Sequence, residues 1–176
     1  MKKNIILLIL VFNFCILTFG QENKTTIITV EEKTAYDVLG HEDLAMNILA
    51  GWGISSVATG SVLFFNNSEF LKAMGIQNML FGIINCGISL WQKNLINEKI
   101  NNGFDEKTEA ENFQNLLKFA FFIDLITIGI GTGMYLYGNE QIKGHGAGIF
   151  IQGFFLMAFD GVNFLISKNL SKRFEP

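Results

Sequence analysis

A chain of 176 residues that is 49% hydrophobic and 13% aromatic, with one proline and a mean hydropathy of +0.33, is long enough for one domain and too apolar for an ordinary water-soluble one. Its net charge of -3 is small and its basic residues are not interleaved with aromatics in any patch, so nucleic acid is excluded as a partner. Of its two cysteines Cys15 falls in a leader, which leaves Cys86 alone: neither an internal disulfide nor a cysteine metal cluster is expected.

Residues 1–20 read as a cleavable signal peptide. Lys2 and Lys3 form the charged start, Ile5 to Phe19 the apolar run, and Thr18 and Gly20 the small residues before a cut at Gln21. That run is shorter than the roughly 20 residues a spanning helix needs, and an uncleaved anchor is the competing reading. Residues 21–43 form a polar arm outside the membrane, with a brief β-prone run at Thr25 to Val30. Leu44 to Ser68 contains no charged residue, which predicts a first membrane helix over about 44–67. Asn66, Asn67 and Ser68 turn the chain into a second helix over about 73–96, where Trp91 sits at the depth indoles favour. Lys93 to Asn115 reads as a long, acidic, partly helical loop whose Asn102-Gly103 pair signals a turn. A third helix over about 113–138 is interrupted by Asp124, a fourth covers about 144–169, and 171–176 is a tail.

The fold class expected is all-α: a four-transmembrane-helix bundle, up-down-up-down. The two hairpins resemble each other. TGSVLFFN at 59–66 parallels TGMYLYGN at 132–139, and Gly75-Ile76 parallels Gly148-Ile149, an offset of 73 residues (59 to 132). Such an offset is either chance between glycine-rich apolar segments or a parallel duplication about an axis along the membrane normal.

Polar residues inside these apolar rods are the candidate site. On helix four His145, Gln152, Asp160 and Asn163 share about a quarter of the circumference at 100° per residue. The same arithmetic gives stripes of Asn47, Gly51, Ala58 and Ser61 on helix one, Asn78, Gly82, Asn85 and Ser89 on helix two, and Asp124, Gly131 and Tyr135 on helix three. A carboxylate at the centre of a membrane helix costs about 2.5 to 3.5 kcal/mol on insertion scales, so Asp124 and Asp160 must face the bundle interior. Both fall near the same membrane boundary, with Asn85, Asn47 and Asn163 in that leaflet, and Gln77, Asn78, Thr132 and Gln152 form a second polar layer. The functional reading is a proton or cation relay, or a small polar ligand held between helices. The structural reading is a pair of acids satisfied by asparagines. Gly51, Gly82 and Gly148 are expected at helix contacts, and the Gly129/Gly133 pair, opposite Asp124, at a contact with another subunit.

No nucleophile elbow, HExxH or phosphate-binding glycine loop occurs, so no enzyme activity, cofactor or metal is expected. His41 and His145 lie at opposite membrane faces, too far apart for bis-histidine haem ligation. The patterns FFID (Phe121 to Asp124) and GHGAGIFIQGFFLMAFD (Gly144 to Asp160) resemble an uncharacterised bacterial family of small four-helix membrane proteins, over roughly Leu44 to Leu170. The resemblance implies four helices and no assigned activity or catalytic residue. The expected role is therefore a non-enzymatic structural or accessory subunit, or a proton, cation or small-solute carrier using Asp124 and Asp160. The expected partners are the lipid bilayer and either a second copy or another membrane protein. The expected place is the bacterial inner membrane, with the arm, the 93–115 loop and the C-terminus on the outer side as a signal peptide dictates. Counting basic residues (Lys24, Lys33, Lys93, Lys99, Lys107, Lys118, Lys168, Lys172 and Arg173 against Lys72 and Lys143) argues for the reverse orientation.

Overall fold

The computed structural model describes residues 37–174, and the expected signal peptide and most of the arm lie outside the described residues. Four long helices follow one another: α1 (Val38–Phe64), α2 (Glu69–Asn102), α3 (Glu106–Tyr137) and α4 (Glu140–Ser171), closed by a 3-10 turn at Lys172–Phe174. Among the described residues there is no strand. Each helix begins where a short polar side chain satisfies an orphan backbone N–H. Asp37 accepts from Gly40, Ser68 from Leu71, Asp105 from Thr108 and Asn139 from Ile142.

Two expectations about the ends are corrected. The 93–115 stretch is helical almost throughout, and only 103–105 break it, with Gly103 at φ 81. The reason is a buried apolar cluster beyond the uncharged spans. Ile96 of α2, Phe113 and Leu117 of α3 and Phe159 of α4 pack with Leu39, Ala45, Met46 and Leu49 of α1. Residues 113 and 117 repeat at helical spacing just after a stretch that carries Glu106, Lys107, Glu109 and Glu111. Likewise 38–43, read as part of the arm, is the first turn and a half of α1, with Val38, Leu39 and Glu42 buried.

Antiparallel hairpins α1–α2 and α3–α4 meet through α2 and α4, which run parallel and pack side by side; α1 and α3 flank them. Glycines set the close approaches. A Cβ on Gly60 would lie 2.6 Å from the Gly75 carbonyl oxygen, and one on Gly146 2.6 Å from that of Gly131. Between the hairpins, Gly144 faces Phe70 and Ala73, and Gly148 faces Gln77. These contacts correct the repeat register. The caps Ser68 and Asn139, the residues Glu69 and Glu140, Lys72 and Lys143, and the pairs Gly60–Gly75 and Gly131–Gly146 all correspond at 71 residues (68 to 139). The 73-residue match would equate Gly60 with Gly133, whose added Cβ would meet nothing. It rests on similar letters without similar surroundings.

The bundle is inverted relative to a water-soluble one. Large apolar side chains face outward, among them Ile83 at 62% exposure, Ile126 at 64% and Leu165 at 65%, while Ser89 and Gln152 are at 0%. All four helices are long and apolar enough to cross a membrane.

Candidate functional site: a polar interior in two layers

The first layer is built on Gln152 of α4. Its Oε1 accepts a hydrogen bond from Trp52 Nε1 at 2.8 Å, and its Nε2 donates to Asn78 Oδ1 at 2.7 Å and Ser56 Oγ at 3.0 Å. One amide therefore ties α1, α2 and α4 together with both its N–H groups used. Trp52 can reach because its indole lies flat on Phe155, rings 3.8 Å apart and 7° from parallel. Nearer the α3–α4 turn, Gln77 Nε2 and His145 Nδ1 are 3.0 Å apart across the α2–α4 seam. Thr132, expected in this layer, is exposed and donates to its own helix at Ile128.

In the second layer, Asp124 of α3 and Asp160 of α4, on adjacent helices, are both buried. Asp124 Oδ2 is buried without a hydrogen-bond partner among the described residues. Asn85 of α2 is buried with its Nδ2 unpaired. One heptad separates Asn85 from Asn78, as one heptad separates Phe159 from Gln152. Parallel packing of α2 on α4 therefore brings Asn85 to the layer of Phe159 and Asp160. Ser89, a turn further on, is satisfied by the Met46 carbonyl at 2.7 Å. Asn163 lies beyond the acids: its Oδ1 is 3.1 Å from His41 Nε2 and its Nδ2 donates to the Phe159 carbonyl. His41 stands edge-on to Phe113, rings 5.5 Å apart.

A third polar group closes the end of the bundle. Lys99 of α2 bridges Glu42 of α1 and Glu109 of α3, and Glu42 is buried with Oε1 unpaired. Among the described residues no three His, Cys, Asp or Glu side chains converge as a metal site.

Asn47 is the site residue that the structure moves out of the interior. It is exposed, donates to Asp43 Oδ2 at 3.0 Å and accepts from Lys93 at 2.7 Å. Helix one carries two small-residue stripes. Gly53, Ser56 and Gly60 take the buried one, because their backbone can approach Gly82 and Gly75. Gly51, expected at a helix contact, is half-buried, and its carbonyl accepts from Ser55. Gly82 and Gly148 are buried against α1 and α2 respectively, whereas Gly129 and Gly133 face away from the bundle with nothing near an added Cβ. Trp52 and Ser56, central to the first layer, were missed. Their spacing of four residues on an apolar helix, each with a donor to satisfy, was the available signal.

Residues 48–161 match the profile of a family described as "Family of unknown function (DUF6992)". The chain belongs to this family. The DUF6992 match opens inside α1 and ends one residue past Asp160, so it takes in Trp52, Ser56, Asn78, Asn85, Asp124, Gln152 and Asp160. His41, Glu42 and Asn163 lie outside it. No curated protein and no solved structure matches this DUF6992 chain.

Proposed function

We propose that this protein is a four-helix integral membrane protein whose role is structural or accessory and non-enzymatic. The observation that carries the reading is the saturated amide of Gln152, held by Trp52, Ser56 and Asn78 inside a bundle whose outer surface is apolar. A polar group spent wholly on neighbouring helices specifies one packing and leaves nothing to bind a substrate. The bilayer supplies the environment that the outward Ile83, Ile126 and Leu165 require. In this reading the signal peptide delivers the chain to a bacterial inner membrane. The arm, the 103–105 turn and the C-terminus then lie outside, and Gly129 and Gly133 meet a helix of a second copy. Spin labels on cysteines placed at Ile83, Ile126 and Val162 of the reconstituted protein test the embedding. Relaxation by lipid-dissolved oxygen is expected at all three, and relaxation by a water-soluble reagent instead would remove the membrane reading.

One observation favours a second reading, a carrier of protons, cations or small solutes. The acids Asp124 and Asp160 have no basic partner: among the described residues the ion pairs are Lys93–Asp43, Lys99–Glu42 and Lys99–Glu109. Flux into vesicles under an imposed pH gradient, lost in Asp124→Asn and Asp160→Asn, is its expected signature.

A further inference from the structure

We propose that the boundary end of the α3–α4 seam binds the anionic headgroup of a phospholipid through Lys118 and Lys168. The inference rests on the membrane reading above and concerns a surface that the polar interior does not use. Lys118 Nζ stands 5.4 Å from the centre of the Phe164 ring and Lys168 Nζ 5.9 Å from the same centre, so one ring gathers two ammonium groups of like charge. Helix register explains the meeting. A Cβ added to Gly161 would lie 3.4 Å from Phe121, and three residues away from that contact the antiparallel helices bring Lys118 of α3 level with Phe164 of α4. Lys168 follows Phe164 at i+4 on the same helix. The ring itself is half-buried and packed against the apolar cluster of the helix ends, which holds it in place.

Neither lysine has a carboxylate partner. Among the described residues the ion pairs belong to Lys93 and Lys99, and Lys118 donates to the neutral Asn115 Oδ1 at 3.4 Å. On the adjoining turns of α3, Glu109 is engaged with Lys99, and Glu111 lies seven residues from Lys118, about 10 Å along the axis. The other hairpin gives an internal comparison. Set back by 71 residues, Lys118, Phe164 and Lys168 become Asn47, Lys93 and Asn97, and there the single lysine is neutralised by Asp43 at 3.3 Å. The first hairpin supplies its own counter-charge, whereas the second presents two lysines and none. The surroundings select the anion. Lys118 stands immediately before the apolar stretch 119–123 and Lys168 two residues after Ile166, so both ammonium groups lie at the depth where a phospholipid carries its phosphate. Deeper along the same seam Phe122 and Leu165 are exposed, a surface for the acyl chain beneath the headgroup. A soluble anion would use the two charges and leave that apolar surface idle.

The test is native mass spectrometry of the full chain released from micelles that contain equal amounts of phosphatidylglycerol and phosphatidylcholine. Preferential retention of one phosphatidylglycerol per chain is expected. A basic residue near anionic lipid contributes roughly fivefold, so Lys118→Gln and Lys168→Gln should each weaken retention by about that factor and the double variant by more. Replacing both by Arg should keep the preference, as should Lys72→Gln with Lys143→Gln at the opposite boundary. Both target lysines are exposed, so helix content should be unchanged. Should a glutamine variant fold poorly, the natural chain still decides, because equal retention of the two lipids overturns the site. A preference that survives the double glutamine variant, or that is lost equally when Lys72 and Lys143 are replaced, overturns it too. Displacement of the lipid by inorganic phosphate would assign the charges to a free anion and overturn the lipid. Embedding is read separately by oxygen relaxation at Ile83, Ile126 and Val162. Embedding without lipid preference removes the headgroup site alone, and loss of embedding removes the membrane reading with it.

Discussion

At the scale of single residues, the interior is an exercise in satisfied and unsatisfied donors. Replacing Gln152 by Leu keeps the volume but removes the hydrogen bonds to Trp52 Nε1 and Ser56 Oγ and strands the buried Asn78 Oδ1. A buried polar group left unpaired costs about 1 to 3 kcal/mol, so the variant should unfold at clearly lower denaturant, and Trp52 emission should move. Asn47→Ala, at an exposed position, should stay within about 0.5 kcal/mol of the natural chain in the same titration. The contrast separates two residues that look alike on a helical wheel. Periodicity reveals that a helix has a polar face. Which of two small-residue faces is buried depends on the partner helix, and here the Gly53–Gly82 and Gly60–Gly75 approaches decide it. Asp124 and Asp160 were legible because a carboxyl group in an apolar rod has so few places to go.

At the scale of elements, glycines two residues apart on α3 should behave oppositely. Gly131→Leu drives a side chain into the Phe150 nitrogen and the Gly146 carbonyl, and overpacking of this kind costs about 1 to 3 kcal/mol or more. Gly129→Leu meets open space and should leave thermal unfolding of the isolated chain unchanged. If Gly129 instead seats a second copy, the same variant will shift the assembly to smaller species in analytical ultracentrifugation. The start of α3 gives a pH-dependent prediction. The Thr108 side chain and backbone N–H hold the Asp105 carboxyl below its ordinary value. A lowered value in the folded state means that its stabilisation is complete above the unfolded value and is lost as pH falls through the folded one. Asp105→Ala should therefore speed amide exchange over 106–109 at neutral pH, and the two proteins should converge in strong acid. The helical ends of α2 and α3 escaped sequence reading because their apolar positions, Ile96, Phe113 and Leu117, are diluted by charges that face solvent.

At the scale of the whole molecule, orientation is the open quantity with a direct readout. Single cysteines at Gly103 and Gly138 lie in turns at opposite ends of the bundle. Labelling by an impermeant reagent in intact cells should mark 103 alone if the signal peptide sets topology, and 138 alone if the lysines do. The four-helix count was legible because apolar spans of membrane length are scarce by chance, with two free of charge and the others carrying only Asp124 and Asp160. The pairing of α2 with α4 was not, since no stripe on either helix announces a parallel neighbour.

The 71-residue correspondence of the hairpins has a consequence for where the buried acids sit. Shifting Asp124 and Asp160 back by 71 lands on Gly53 and Ser89, one pressed against Gly82 and the other bound to the Met46 carbonyl. The backbone repeats, but the acid chemistry does not. One half keeps a pair of buried acids where the other has a helix contact and a satisfied hydroxyl. A chain assembled from two copies of the second hairpin would bring four carboxyls around the axis, and one from two copies of the first would bring none. The two hairpins thus share their caps and glycine contacts, while the buried acids belong to the second hairpin alone.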